Sequence, residues 1–274
     1  MTRFPVTGRS ILVFAIPLAL LVLASGLVGL LYDSTYAKET QSWTAQGIAQ
    51  DIFDVVILAP VILFAAIFAR KGSRPALFIL LGSLIYACYT FAIYCFALHF
   101  NALFLVYCGT LGLSFYAGAF VLSSLNLEEL KGWFDPGKSV AIPSAFLIVV
   151  AVAFCFLWLS EDIPAIVHNR VPKTIVEAGL MTNPVHVLDL AFLLPGSLVC
   201  GLLLRKKHPL GYLFAPSLFA FLAMMSLSIG GIVVYANYRG MSSDVVVPSV
   251  FALLAVINGA LFGNVIRNMR KEVL

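Results

Sequence analysis

Asp51, Asp54, His186 and Asp189 are the residues of this chain best suited to chemistry. Each lies in or beside a long apolar stretch, where a charge is costly and usually functional. Asp51 and Asp54 are three apart, as are His186 and Asp189, and that spacing puts each pair on one face of a helix. The surrounding stretches share a pattern: Asp54-x5-Pro60-x9-Arg70-Lys71 is matched position for position by Asp189-x5-Pro195-x9-Arg205-Lys206. His99 and Asn101 are expected at a turn of similar depth. Carboxylates and imidazoles gathered at one level can bind a divalent metal such as Zn, Mn or Fe, with Asp51, Asp54, His186 and Asp189 as candidate ligands. They can relay protons, because a desolvated carboxylate readily exchanges its charge for a proton. They can also hold an organic cation. A purely structural role competes with all three: an aspartate at a helix N-terminus bonds backbone amides and complements the dipole. That suits Asp51 better than Asp54 and Asp189, which are expected beyond the first turn. Pro60 and Pro195, six residues past each acid, predict kinks, either as hinges or as ordinary prolines of membrane helices.

The elements that position these residues are predicted to be membrane spans. The 274-residue chain is 61% hydrophobic and 11% charged, with a mean hydropathy of +1.01, whereas a soluble domain carries about 25% charged residues. Eight apolar runs of spanning length are predicted, at about 10–32, 48–69, 76–98, 102–124, 142–160, 185–204, 210–235 and 245–266. Placing the N-terminus in the cytoplasm leaves only Lys38, Arg170, Lys173 and Arg239 of the 17 Lys and Arg outside. The expectation is therefore a multi-pass plasma membrane protein of the bacterial inner membrane type, with both termini cytoplasmic. The net charge of +4 is read as anchoring to anionic lipid and gives no reason to invoke nucleic acid. Arg3 and Arg9 ahead of Ile11–Leu31 resemble a secretory signal, but that run is longer than a signal core, so the first helix is expected to be retained.

The matched stretches predict a duplication within a single membrane domain, residues 1–274. Half one runs from about 9 to 124 and half two from about 142 to 266. A cytoplasmic linker at 125–141 joins them, with a short interfacial helix expected to end at Asp135-Pro136-Gly137. Two longer outer segments are expected, Asp33–Gly47 and Glu161–Asn183, the second with a short helix over the outer mouth or a plain linker. Gly109, Gly112, Gly118, Gly230, Gly231, Gly259 and Gly263 are read as close helix contacts. Tyr94 and Tyr107 are assigned to an outer aromatic belt, Tyr86 and Tyr89 to packing, and Asn258 and Asn264 to bonds between helices. Cys88, Cys95, Cys108, Cys155 and Cys200 all fall in predicted spans with no CxxC pair, which reads as packing.

No lysine lies inside a predicted span, so a retinal Schiff base has no attachment point. No HExxH, GxSxG or P-loop pattern occurs. The fold class expected is an all-α polytopic membrane protein of eight transmembrane helices in two parallel four-helix repeats, helices 1–4 and 5–8. The leading functional expectation is binding and transport of a small solute or ion in an outward-facing polar pocket between the second and sixth helices. Asp54 and Asp189 would be its central ligands or proton carriers, with Asp51, His186 and His99 auxiliary. Two alternatives stand beside it: a non-catalytic sensor or assembly subunit, with a protein partner or a second copy, and a metal-dependent enzyme acting on lipid or an envelope precursor. No catalytic residue is assigned.

Overall fold

The computed structural model describes residues 10–270. These contain eight helices long and apolar enough to cross a membrane: Ile11–Leu31, Gln41–Arg70, Arg74–Ala97, Phe104–Ser123, Ala141–Val167, Pro184–Arg205, Pro209–Tyr238 and Val246–Arg267. Large apolar side chains such as Leu20, Val56, Phe64, Phe115, Phe156, Phe192 and Val256 point outward and exposed. Water would penalise such a surface, whereas lipid accepts it. The chain is an all-α polytopic membrane protein.

The first span is α1 (Ser10–Leu31). The second is built from α2 (Gln41–Phe53), a π-helical segment (Asp54–Leu58) and α3 (Ala59–Arg70). Next come α4 (Arg74–Ala97), α5 (Phe104–Ser123), the short α6 (Leu127–Gly132) and α7 (Ala141–Val167). A six-residue α8 (Lys173–Ala178) precedes the sixth span, composed of α9 (Pro184–Leu188), a second π segment (Asp189–Leu193) and α10 (Leu194–Arg205). The chain closes with α11 (Pro209–Tyr238) and α12 (Val246–Arg267).

The two matched stretches fold alike in detail. Each π segment begins at the Asp and ends two residues before the Pro. In a plain α-helix the ring of Pro60 would collide with the carbonyl of Val56, and that carbonyl would lose its donor. One extra residue in the turn removes the conflict: the Asp54 carbonyl accepts from the N–H of Ala59, and the Asp189 carbonyl from that of Leu194. The expected kinks are thus π turns. Further along, Lys71 and Lys206 both end their helices with φ near −80°. Each is followed by a residue in the left-handed region, Gly72 at 93° and Lys207 at 54°. Ser83 and Ser217 are both buried, and each bonds a carbonyl of the preceding turn, Ile79 at 2.8 Å and Leu213 at 3.0 Å.

By contacts the chain divides into two compact units. The first is the described chain up to Leu125 with Ala220–Gly259; the second is Asn126–Phe219 with the described chain from Ala260. In the second, α6 is capped by Asn126, whose side chain accepts from Glu128 and Glu129. An Asx turn follows, with Gly137 donating to Asp135 Oδ1 at 2.9 Å. This loop is tied to the end of α12: Asp135 N donates to Asn268 O at 2.9 Å and Arg270 N to Trp133 O at 2.7 Å.

Several boundaries and contacts differ from expectation. The second span starts at Gln41 instead of 48, because Thr40 caps it and the Trp43 indole is fixed to the Ala97 carbonyl at 3.3 Å. The fifth runs on to Val167, through Glu161 and Asp162, because both carboxylates have partners. Tyr94 and Tyr107 are buried and so are not part of an aromatic belt. Asn258 bonds the Leu254 carbonyl of its own helix, at 2.8 Å. The glycine assignments also fail among the described residues. A Cβ on Gly112, Gly118, Gly231, Gly259 or Gly263 would meet nothing within 4 Å, and on Gly109 or Gly230 only ordinary contacts. Close approach occurs instead at Gly26, Gly29 and Gly47 in the first unit and at Gly201 and Gly211 in the second.

Candidate functional site

Asp51 and Asp54 lie ten and thirteen residues into the second span, about 15 and 20 Å along it at the α-helical rise. Neither is a cap. Both are 0% exposed, and α1 makes the room. A Cβ on Gly29 would fall 1.9 Å from Asp51 Oδ2, and one on Gly26 would fall 2.7 Å from Val55 Cγ2 and 3.0 Å from the Asp51 carbonyl. Only glycines at these positions let the helices approach with a carboxylate between them. The Asp51 carboxylate accepts from two phenols, Tyr36 at 2.6 Å on Oδ2 and Tyr94 at 3.0 Å on Oδ1. Tyr36 stands on the segment between α1 and α2 and packs over Gly47. Burial, with the Asp51 charge beside it, pushes the Tyr36 phenol above its ordinary range, so it stays a donor.

One turn further in, Asp54 accepts on Oδ1 from the Gln50 amide at 2.8 Å. The same amide donates to Tyr86 at 3.0 Å, and its oxygen accepts from Tyr86 at 3.2 Å and from Ser228 at 2.6 Å. Gln50 therefore spends its full capacity joining α2, α4 and α11. Asp54 does not: among the described residues its buried Oδ2 has no hydrogen-bond partner, and neither has the Ser25 hydroxyl on α1. Ser25 lies one turn from Gly29 and shares the face that Gly29 turns to Asp51. Among the described residues, no Lys, Arg or His bonds or pairs with either aspartate.

At the rim of this unit His99 meets Glu39, not an aspartate. Its backbone N–H donates to Oε1 at 2.7 Å, and Nδ1 lies 3.0 Å from Oε2. Asn101 bonds the Thr35 carbonyl at 3.3 Å. Beside them lies a depression of about 390 Å³ lined by Lys38, Phe100, Asn101, Ala102, Phe104 and Leu105.

In the second unit the start of the sixth span is capped by Asn183, so neither His186 nor Asp189 caps that start. Both engage α7. Asp189 Oδ2 accepts from the Trp158 indole at 2.8 Å. His186 Nδ1 lies 3.0 Å from Asp162 Oδ1, its Nε2 lies 3.9 Å from Glu161 Oε2, and its ring lies over Trp158 at 4.4 Å. Trp158, Glu161 and Asp162 share one helix face, as do His186 and Asp189. Thr174 of α8 bonds Glu161 in turn.

The structure thus buries Asp51 and Asp54 one turn apart in the first unit, each with its own hydrogen-bond partners, and sets His186 and Asp189 against α7 in the second. Among the described residues no group of three or more His, Cys, Asp or Glu is placed to hold a metal ion. Sequence reasoning missed Gln50, Tyr36, Ser25, Gly29, Trp158, Glu161 and Asp162. Gln50, four residues before Asp54 at the start of an apolar run, was a usable signal. No family model, curated protein or solved structure matches the chain.

Proposed function

We propose that this integral membrane protein binds a proton at Asp54 and exchanges it through Asp51, as part of moving an ion or small solute across the membrane. The observation that carries this reading is Asp54 Oδ2: a carboxylate oxygen fully buried, with no donor and no cationic partner among the described residues. An ionised carboxylate so placed needs a compensating proton or cation. A proton on Oδ2 would supply it while Gln50 holds Oδ1 in place. Asp51, with two phenols, is the way station nearer the start of α2. The unpartnered Ser25 hydroxyl gives a mobile proton or water a second contact. Asp189, engaged by Trp158 and nearer its surface, has the lesser part.

In this reading the Lys- and Arg-rich ends face the cytoplasm and the start of α2 faces outward. The twin π turns, twin helix ends and twin buried serines support an origin by duplication. Proteoliposomes enclosing a pH-sensitive dye test the function. The wild type should dissipate an imposed pH gradient, Asp54→Asn should lose at least nine-tenths of that rate, and Asp189→Asn should keep most of it. A wild type that leaves the gradient standing, or an Asp54→Asn variant as fast as wild type, would sink the proposal.

A further inference from the structure

The sequence contains two Tyr-Cys dipeptides that the site uses only by half: Tyr94-Cys95 on α4 and Tyr107-Cys108 on α5. The helices are antiparallel, and their register is fixed by two contacts. The rings of Tyr94 and Tyr107 meet edge to face at 5.1 Å, and two turns along, Cys88 Sγ lies 3.2 Å from Ser114 Oγ. Continuing that register past the tyrosines sets Cys95 opposite Cys108. Cys95 is partly exposed and Cys108 exposed. Both lie within about 6 Å of their helix ends at the α-helical rise, two residues before Ala97 and four after Phe104.

We propose that Cys95 and Cys108 are a redox-active pair that closes to a disulfide by exchange with an external disulfide. The Cys108 thiolate, the more exposed, attacks one sulfur of the oxidant RS–SR and releases RS⁻. The Cys95 thiolate then attacks Cys108 Sγ in that mixed disulfide, forms the Cys95–Cys108 bond and releases the second RS⁻. The two thiol protons end on the two released RSH groups, so the pair is oxidised by two electrons and the oxidant reduced by two. Closure clamps α4 to α5 beside Tyr94, whose phenol holds Asp51, and so stiffens one wall of the acid network. The regulatory consequence rests on the function and outward orientation proposed above, since the outer face is the oxidising one. The chemistry does not.

The test counts thiols and needs no transport assay. Full-length protein in mild detergent is incubated with oxidised glutathione, unfolded, and its free thiols titrated; peptide mapping then locates any bridge. Wild type should fall from five free thiols to three with no glutathione retained, and mapping should link Cys95 to Cys108 without any variant being made. Cys95→Ser should retain glutathione on Cys108 or leave it free, with no bridge. Wild type with five free thiols, glutathione left on an unclosed Cys108, or a bridge between another pair would overturn the proposal. Dithiothreitol should restore all five.

Discussion

The same backbone turn serves two different acids. In both matched stretches an Asp opens a π segment and a Pro follows two residues beyond it, yet the facing helix treats the two carboxylates oppositely. In the first unit α1 withdraws its side chains at Gly26 and Gly29, and phenols and an amide close around Asp51 and Asp54. In the second unit α7 advances Trp158 and Asp162 against Asp189 and His186. The π turn therefore answers to proline, a local steric matter, while the chemistry of each acid is set by the neighbouring helix. In the function proposed above, the buried carboxylate whose second oxygen has no partner among the described residues takes the mobile proton, and the one bonded by an indole, beside a histidine flanked by acids, has the lesser part.

The contrast predicts its own weakest point. Gly29→Val should be the most damaging substitution of those compared, because its Cβ would overlap Asp51 Oδ2. A single flexible oxygen could swing aside, but this one is held by Tyr36 and its partner oxygen by Tyr94. Relief requires breaking those bonds or separating α1 from α2, at about 3 kcal/mol. Unfolding in detergent at increasing denaturant measures it, and a loss under about 1 kcal/mol would show that the carboxylate has slack.

The next effects compare the two acids directly. Tyr94→Phe removes a phenol donor from a fully buried carboxylate and should cost about 2 kcal/mol. Trp158→Phe removes the indole donor from Asp189 but keeps a ring beside His186, and should cost about 1 kcal/mol. In an Asp51→Asn background the cost of Tyr94→Phe should shrink, since the two residues share one interaction. Equal costs for the two donors would erase the distinction drawn between the acids.

Much of the fold was legible because composition dictates it: eight apolar runs admit little besides eight spans. The Asp–Pro pattern pointed correctly to a shared local structure. What escaped the sequence lay across helices. Glu161 was assigned to a loop because charge ends an apolar run; in the structure Thr174 bonds its carboxylate, His186 lies 3.9 Å from it, and α7 continues. Gln50 escaped because a polar residue at the rim of a run looks like its boundary. Trp158 and Tyr36 escaped because spacing along a helix says nothing of which neighbour each acid meets.

The glycines make that point in its smallest measurable form. Gly112 and Gly118 on α5 resemble contact residues in the sequence as closely as Gly26 and Gly29 do, yet a Cβ on either would meet nothing within 4 Å among the described residues. Alanine there adds no clash and narrows the unfolded ensemble. Gly112→Ala and Gly118→Ala should each therefore stabilise the protein by roughly 0.5 kcal/mol. The same change at Gly29 should destabilise it, so one substitution made on two helices should change sign. Measuring the three alanine variants side by side reads which face of α1 and α5 carries a neighbour. A loss at Gly112 or Gly118 comparable to that at Gly29 would mean that a partner, another copy or an ordered lipid, occupies the open face of α5.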